Sequence, residues 1–529
     1  MKKIALFFFA IISLVNTSFA QPQNINISNS IYFDGEPYIA VNPTNHKNIV
    51  IAWMGLTITN GVKISIKTKT SFDGGQTWGS LNVKPHMSST FGSADVSMAF
   101  RKDGVLFLSY IDYNAAKDSG AVYLVSSANG GVSWNAPTQI INLKEDPTKK
   151  PIDRPWLVVD NSNTANKGMM YLTTKPAPWV AAPCRPYMKV SADSGLTWSA
   201  FRFIDTTNFL VGSLIQQPMA ADAVTADGAF CAVYPSYVST QNVFPKYYLA
   251  KSYNRAASFQ YTSVLTNPTA LTDTNYKSGY RLATNPNNAQ QMAFTFLGNQ
   301  NGDPDVFVTS SNDGGLNWST PLRVNNDAIS NGKAQDMPWA DYNESGDLLV
   351  TWRDRRNGSG TGFQQPFETF AAVSHNNATS FTGNVNLCTV LTPFDTILAQ
   401  KGNDFMCCKL VNDTICATWS DMRTGKLNVF FAKTIDSLTS GIIQVNREEI
   451  DLLQIYPNPA KEYFTVKHAL QNEKNIHLFI LDASGKQLLE MKNPNATEKI
   501  NAKNFAAGNY FVKLVVDDYV TLKKLIITK

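Results

Sequence analysis

Two segments of the chain combine tryptophan, aspartate and arginine at close spacing, and these residue types can recognise or cleave a polar ligand. Trp352-Arg353-Asp354-Arg355-Arg356 and Trp419-Ser420-Asp421-Met422-Arg423 share the form Trp-x-Asp-x-Arg. Side chains two residues apart at the end of a strand point the same way, so each Asp can pair with an Arg. Because carboxylate and guanidinium form strong bidentate pairs, the pattern favours structural ion pairs. The alternative is a site for an anionic sugar.

The composition argues against several other kinds of chemistry. Five histidines are scattered along the chain and six cysteines include no CxxC, so we predict no metal and no cofactor. The net charge of +5 is not concentrated in a Lys/Arg run, which does not favour a nucleic-acid partner. In an exported chain the cysteines favour structural or disulfide roles, and Cys407 and Cys416, on strands predicted to be neighbours, form one candidate pair.

Self-similarity is the strongest signal in the sequence. The pattern Ser-x-Asp-x-Gly-x-x-Trp occurs four times, with Asn for Asp in the second copy, and two degenerate copies run from Ser252 to Phe259 and from Ser374 to Phe381. The copies begin about 60 residues apart, a period near that of repeat folds. The residues to which we assign a structural role in the four full copies are Asp73, Asn129, Asp193, Asp313, Trp78, Trp134, Trp198 and Trp318.

Each copy predicts a β-hairpin turn. The Asp or Asn side chain accepts hydrogen bonds from backbone N–H groups two or three residues later, and the Gly supplies a positive φ. The aromatic residue then enters the next strand and is buried between sheets. In the degenerate copies we expect Ala257 and Ala378 to replace the Gly.

Strand signatures before each turn complete a unit of four short strands. An apolar segment, often opened by Pro, is followed about a dozen residues later by a Val/Ile/Phe-rich run, then by the strand that carries the Ser. A further unit over 405–433 lacks the turn pattern. The sequence therefore predicts an all-β protein, a β-propeller over 21–440 with seven blades favoured and six possible. The segment 24–33 would supply a closing outer strand.

These repeats resemble the Asp-box (BNR-repeat) β-propellers of the sialidase superfamily across most of residues 30–435. The resemblance implies that the turns lie on one face, and that substrate sites lie on the other, built by loops that enter first strands and leave second strands. It selects the catalytic candidates Asp153, Asp354 and Asp421 and the ligand-binding candidates Arg154, Arg281, Arg355 and Arg423.

The first repeat departs from the sialidase pattern. Sialidases hold the substrate carboxylate with three arginines, the first in an Arg-Ile-Pro-type segment, and use a Tyr nucleophile with an acidic partner. This chain has Glu36-Pro37-Tyr38 at that place, and its first arginine is Arg101. The departure argues against sialidase activity itself.

The two ends of the chain predict export. Residues 1–20 have the charged start, apolar run and small-residue cleavage site of a signal peptide, and no later segment reaches the roughly 18 to 20 apolar residues of a spanning helix. After a linker at 441–450, residues 451–529 predict a small β-sandwich. With Tyr456-Pro457-Asn458-Pro459, Leu481-Asp482-Ala483-Ser484-Gly485-Lys486 and a Lys-rich apolar end, this segment resembles the type A sorting domain of type IX secretion substrates.

The sorting resemblance implies type IX secretion machinery as a partner. It also implies removal of residues 451–529 and a secreted or outer-membrane surface-attached product. For the propeller, the sequence leaves two functions open: a module that binds a glycan or a surface protein, and an exo-acting glycoside hydrolase related to sialidases. The sequence is compatible with an enzyme and with a binding module.

Overall fold

The computed structural model describes residues 22–58, 61–145, 152–177, 185–207, 219–236, 246–267, 279–394, 403–436, 453–468, 476–483, 486–516 and 519–529. The predicted signal peptide, the linker and Cys184 lie outside these residues. The chain divides into two compact units, Met1–Thr439 and Ser440–Lys529. The described part of both units is built from β-strands, with one short 3-10 turn at Ala502–Asn504.

The described strands of the first unit begin with β1 (Ile25–Asn26) and form seven four-stranded antiparallel sheets. In chain order, the strands of the first four sheets are β2 (Asp34–Asn42), β3 (Asn45–Thr57), β4 (Lys63–Ser71), β5 (Asn82–Val83); β6 (Phe91–Phe100), β7 (Leu106–Asn114), β8 (Gly120–Ser127), β9 (Thr138–Asn142); β10 (Ile152–Val159), β11 (Met170–Pro176), β12 (Tyr187–Ser191), β13 (Arg202–Phe203); β14 (Ala221–Val224), β15 (Phe230–Ser236), β16 (Lys246–Ser252), β17 (Gln260–Thr266). The remaining three sheets comprise β18 (Arg281–Thr284), β19 (Met292–Gly298), β20 (Asp305–Ser311), β21 (Leu322–Arg323); β22 (Gln335–Tyr342), β23 (Leu348–Asp354), β24 (Glu368–Ser374), β25 (Val385–Asn386); β26 (Cys407–Val411), β27 (Thr414–Asp421), β28 (Asn428–Ile435) and, paired with β28, β1.

The seven sheets form a closed ring. The first strand of each sheet contacts the first strand of the next sheet, from β2 through β6, β10, β14, β18 and β22 to β26, and β26 contacts β2. Such a ring around an axis is a β-propeller, and closure removes the free sheet edges that promote aggregation. Buried apolar side chains of neighbouring sheets pack together to form the core between them.

The seventh sheet takes its outer strand from the N-terminal segment, as the sequence predicts. Ile25 pairs with Phe431, and Asn26 pairs with Phe430, in antiparallel register. Arg423, in the loop before β28, donates to the Asn24 side chain at 2.6 Å and fixes the segment further. The ring is therefore closed by hydrogen bonds between the two ends of the unit.

Each Ser-x-Asp turn joins the third strand of a sheet to the fourth. In the first copy, Oδ1 of Asp73 accepts from the N–H groups of Gln76 and Thr77, both at 2.9 Å, three and four residues later. Oγ of Ser71 donates to Asp73 at 2.7 Å and accepts from the N–H of Gly75 at 2.8 Å. The Ser therefore satisfies the backbone donor that the Asp does not reach.

The glycine position of the degenerate copies differs from the prediction in one case. Ala256, not Ala257, takes the place of Gly, with φ 56° and its N–H donating to Ser252 at 3.0 Å. Ala378 occupies the equivalent position of the last copy with φ 60°. The prediction was wrong by one residue. The position is defined by the N–H that donates to the Ser side chain, and here two consecutive alanines, Ala256 and Ala257, could occupy it. A positive φ is strained for Ala, so Gly is the better residue at both places.

The proposed Cys407–Cys416 disulfide is wrong. Both are free, and so are Cys231, Cys388 and Cys408, all of them buried. Cys407 lies opposite Thr418, and Cys416 lies opposite Lys409, so the two cysteines are diagonal neighbours. Diagonal positions on paired strands are about 7–8 Å apart, beyond the reach of most disulfides.

The second unit contains two antiparallel sheets. Its strands are β29 (Leu453–Tyr456), β30 (Tyr463–His468), β31 (Ile476–Asp482), β32 (Gln487–Lys492), β33 (Thr497–Asn501), β34 (Gly508–Val516) and β35 (Tyr519–Ile527). The strand orders are β29-β30-β33 and β32-β31-β34-β35. Apolar residues of both sheets, including Phe464, Leu478 and Leu525, share one core, which confirms the predicted small β-sandwich.

Candidate functional site

In four of the seven sheets a bulge interrupts the start of the first strand, and three of the four bulges carry a charged residue with positive φ. Register shifts occur at Gly35–Tyr38, Ala94–Ser97, Asp153–Trp156 and Asp336–Trp339. Inside these bulges φ is positive at Glu36, Asp95, Arg154 and Met337. Left-handed backbone at non-glycine residues is costly and concentrates at functional sites. We call this end of the ring the loop face and the end with the Ser-x-Asp turns the turn face.

Four carboxyl groups meet around one guanidinium at the loop face. This carboxylate cluster comprises Glu36, Asp95, Asp153 and Asp404, with Arg154 among them. Nη2 of Arg154 donates to Asp404, a contact between the third sheet and the loop before the seventh. Burial alone would lower the pKa of Arg154, but Asp404 and the other carboxylates raise it above its usual value. Arg154 is therefore a fixed cation whose charge is already neutralised by protein.

Glu36 is the most deeply buried member of the cluster, with 2% of its surface exposed. Its Oε1 accepts from the N–H of Asp404 at 3.2 Å, while the buried Oε2 receives no hydrogen bond from the described residues. Burial, with the charge of Asp404, raises the pKa of Glu36 to about 7. Glu36 therefore holds its proton in weakly acidic water.

Asp95 lies close to both Glu36 and Asp153, so the charge on each of these carboxyl groups affects the pKa values of its neighbours. Burial, followed by the charges of Asp153 and Glu36, raises the pKa of Asp95 well above its usual value. Burial also opposes ionisation of Asp153, but Lys175 and Arg154 outweigh it and hold the pKa of Asp153 below its usual value. Environments that push the pKa values of two carboxyl groups apart assign one as an acid and the other as a base.

A cleft between the first and second sheets opens beside the cluster. Its volume is about 440 Å³, and its walls include Ile64, Phe91, Ala94 and Tyr113. Burial, followed by the charges of Asp95, Asp153 and Glu36, raises the pKa of Tyr113, so this phenol lies close to the cluster and keeps its proton. The cleft thus offers an apolar wall and a hydroxyl next to the carboxyl groups.

Aromatic rings close the axis beneath the cluster. Trp156 packs against Tyr38, Trp339 and Phe405 with ring centroids 5.8, 5.8 and 5.1 Å apart. Tyr38 and Trp339 also pack edge to face at 5.6 Å. These four rings, the aromatic plug, follow the bulges on the first strands of three sheets and precede the first strand of the seventh. They separate the cluster from the turn face.

Arg281 lies at the level of the plug rather than among the carboxylates of the cluster. Its guanidinium stands 4.8 Å from the Trp339 ring centroid, and Nη1 is 3.8 Å from Oδ1 of Asp222. It lines a cavity on the turn face. Arg154 is therefore the only one of the four predicted ligand arginines that the structure brings to the cluster, among the residues it describes.

Asp354 and Arg355 are buried side chains of the sixth sheet. Asp354 accepts from Nε1 of Trp352 at 2.8 Å and from Nη2 of Arg356 at 2.8 Å. Arg355 donates to Asp336 at 3.1 Å and to the Phe363 carbonyl at 2.8 Å, and neither Asp354 nor Arg355 is exposed. The carboxylates of Asp336 and Asp354 in the sixth sheet are thus paired with arginines of this segment.

Asp421 and Arg423 repeat this arrangement in the seventh sheet. Asp421 is buried and accepts from Nε1 of Trp419 at 2.8 Å and from Nη2 of Arg423 at 2.6 Å. The first sheet has a variant in which Nε1 of Trp53 donates to Asp34 at 2.9 Å. A tryptophan–aspartate bond thus anchors the second strand of three sheets.

Three charged residues of the site, Asp95, Asp404 and Lys175, were not predicted from the sequence, and a hydrogen-bonded relay lies nearby. Asp404 and Lys175 belong to no motif. The only sequence feature that marks them is a charged residue next to an apolar strand. Between the first two sheets, Nε2 of His86 is 2.8 Å from Oγ of Ser65, and its Nδ1 is 2.7 Å from Asp112. Ser65 is 1% exposed, so this relay joins the sheets rather than presenting a nucleophile.

Comparison with known proteins identifies the C-terminal segment. Residues 454–528 match the family model of the secretion system C-terminal sorting domain, which confirms the predicted type IX sorting domain. A domain of this kind marks an exported protein, secreted or attached to the cell surface. No curated protein matches the chain.

Several solved structures resemble the chain distantly. They include a Penicillium chrysogenum α-L-arabinanase complexed with arabinobiose (13% identity, 78% of this chain, 98% of that chain, TM-score 0.42). A Fusarium graminearum α-L-arabinofuranosidase of family GH93 has 11% identity over 79% of this chain and 98% of that chain, with TM-score 0.41. A Trypanosoma rangeli sialidase has 9% identity over 95% and 87%, with TM-score 0.35. Identities of 9% to 13% with TM-scores of 0.35 to 0.42 do not indicate what the site of this chain binds.

Two further observations concern membranes and metals. In the part of the chain that the structure describes, no helix is long and apolar enough to cross a membrane. The same residues include no group of three or more His, Cys, Asp or Glu side chains arranged to hold a metal ion.

Proposed function

We propose that the propeller of this exported protein is a glycan-binding module whose site is the carboxylate cluster, and that its ligand is an uncharged glycan. The observation that carries the proposal is the charge pattern at the loop face. Carboxylate oxygens only accept hydrogen bonds, and the hydroxyl groups of a neutral sugar donate them. The cations of the cluster are already bound: Arg154 to Asp404 and Lys175 to Asp153.

The adjoining cleft supports an extended ligand. Ligand pockets measure roughly 300–1,000 Å³ and combine apolar walls with a few polar groups, and the cleft of about 440 Å³ falls in that range. One sugar would contact the carboxyl groups, and the next would pack on Phe91 and Tyr113. Sialic acid fits poorly, since Arg154 and Lys175 are already paired with carboxylates of the protein and its own carboxylate would have to compete with them.

Calorimetry on the full-length exported chain with a panel of neutral and sialylated oligosaccharides tests this proposal. We expect neutral oligosaccharides to bind, and Asp404→Asn to weaken binding roughly tenfold through loss of a charge-assisted hydrogen bond. Asp103→Asn is the matched control, because that exposed carboxylate pairs with Arg101 outside the cluster. Preference for sialylated ligands, or equal affinity of the two variants, would refute the proposal.

A second function, glycoside hydrolysis, is favoured by the opposed pKa shifts of Asp95 and Asp153. One would donate a proton to the leaving group, and the other would act as base or nucleophile. Sugar release from the same oligosaccharides would establish an enzyme, and Asp95→Asn and Asp153→Asn should each abolish it. Release that persists in both variants would exclude this pair as the catalytic groups, and binding without release would leave the binding module.

A further inference from the structure

Arg281 differs from the other arginines of the described chain. Each of the others donates at least one hydrogen bond to a protein acceptor. Arg281 makes none with the described residues; its contacts are the Trp339 ring and the Asp222 carboxylate 3.8 Å away. Its side chain is only 15% exposed. A mostly buried guanidinium whose donors have no acceptor among the described residues is suited to an anion that the protein does not itself supply.

The guanidinium lines a cavity of about 320 Å³ on the turn face, which we call the axial cavity. Its lining comes from the first strands of six sheets and from turns that follow some of them, and includes Tyr38, Asn161, Thr225 and Lys409. The aromatic plug separates it from the carboxylate cluster, because Tyr38 and Trp339 belong to the plug. The volume is at the lower end of the range for ligand pockets, sufficient for one small ring.

Of the two cations that line the axial cavity, Lys409 and Arg281, only Arg281 donates no hydrogen bond to a carboxylate of the described residues. Nζ of Lys409 donates to Asp341 at 2.5 Å, so those two charges cancel. Asp222 accepts from Thr173 at 3.0 Å through Oδ2, and its buried Oδ1 receives no hydrogen bond from the described residues. Burial raises the pKa of Asp222 to about 6, although Arg281 acts in the opposite direction. Below this pKa Asp222 is protonated and neutral, and a single negative charge on a ligand then balances the charge of Arg281.

We propose that the axial cavity binds a small monoanionic carboxylate, held by the guanidinium of Arg281. Two parallel N–H donors of a guanidinium match the two oxygens of a carboxylate. The guanidinium stands 4.8 Å from the centroid of the Trp339 ring, and Tyr38, Asn161 and Thr225 line the space for the rest of a sugar acid. This site is separate from the carboxylate cluster and does not depend on the proposed glycan site.

Calorimetry with glucuronate and with its uncharged methyl ester tests the proposal on the full-length exported chain. We expect glucuronate to bind more tightly than the ester. Arg281→Met should weaken glucuronate binding at least roughly tenfold, and Arg281→Lys should weaken it less, because a charge remains but the paired donors are lost. Lys102→Met is the matched control, since this exposed lysine lies outside the lining and should leave affinity unchanged.

Two results would overturn the proposal. One is the absence of glucuronate binding to the unaltered chain at millimolar concentration. The other is equal glucuronate affinity of the unaltered chain and Arg281→Met, which would assign the binding to another site. Tryptophan fluorescence melting checks that Arg281→Met folds. If it does not fold, Arg281→Lys decides: unchanged affinity overturns the bidentate contact, and weaker affinity supports it.

Discussion

Replacing Glu36 by Gln should make the propeller more stable than the unaltered protein in weakly alkaline solution, because Glu36 is a buried acid. Its pKa is about 7 in the folded chain, against 4.5 for an ordinary Glu. At about 1.4 kcal/mol per pKa unit, this gap corresponds to ~3 kcal/mol. The raised pKa adds stability that is fully present below pH 4.5 and is lost as the pH rises to about 7. Gln is neutral throughout, so the variant does not suffer this loss.

Urea unfolding of both proteins at pH 5 and pH 8, followed by tryptophan fluorescence, measures the effect. All ten tryptophans precede residue 440, so the signal reports the propeller without the C-terminal unit. We expect the difference in unfolding free energy between Glu36→Gln and the unaltered chain to shift by up to about 3 kcal/mol in favour of the variant from pH 5 to pH 8. Glu344→Gln, at a side chain 69% exposed, is the control and should show no such shift. A Glu36→Gln difference that is the same at both pH values would refute the assignment of a neutral Glu36.

Three further predictions concern the turns, the thiols and the sorting domain. Ser311→Ala should cost about 1–3 kcal/mol in urea unfolding, because the buried N–H of Gly315 loses its acceptor, whereas Thr424→Ala, in an exposed loop, should cost little. The buried cysteines should resist iodoacetamide until denaturant is added, because burial raises the pKa values of the Cys231 and Cys416 thiols to about 12; labelling of the described cysteines in the native protein, read by mass spectrometry, would contradict this. Deletion of residues 451–529 should leave the propeller folded but retained in the periplasm, and normal surface delivery in fractionated cells would disprove the sorting role.

The parts of the fold that depend on local sequence were predictable. The Ser-x-Asp turn is a short-range hydrogen-bond pattern, so its Gly and Trp identify the hairpin without tertiary information. The sorting domain was recognised from short motifs in the same way. The number of blades was predicted from the spacing of the repeats. The unit over 405–433 has no turn pattern, so it was predicted from its strand signatures alone.

The candidate site was less predictable because it forms only when the ring closes. Asp153 and Arg154 were found from their place at a strand entrance, whereas Asp404 meets Arg154 across 250 residues of sequence. Asp95 was missed because its bulge lacks the proline that follows Glu36, Arg154 and Met337. Asp354 and Asp421 lie at the strand ends where site residues were expected. Their carboxylate oxygens, however, already accept hydrogen bonds from tryptophan N–H groups and from arginines. Such bonds cannot be predicted from residue spacing.

The pairing of β1 with β28 makes completion of the propeller depend on both ends of its chain. The side chains of Asn26 and Asn428 hydrogen-bond at 2.8 Å although 402 residues separate them. Closing so long a loop is slow, and a chain that stops before β28 leaves β1 without a partner and the outer edge of β27 unpaired. A product of interrupted synthesis therefore differs from the finished protein by exposed strand edges, which chaperones and proteases recognise. The pairing of β1 with β28 forms only after the whole propeller has been synthesised, so it distinguishes the complete protein from its fragments.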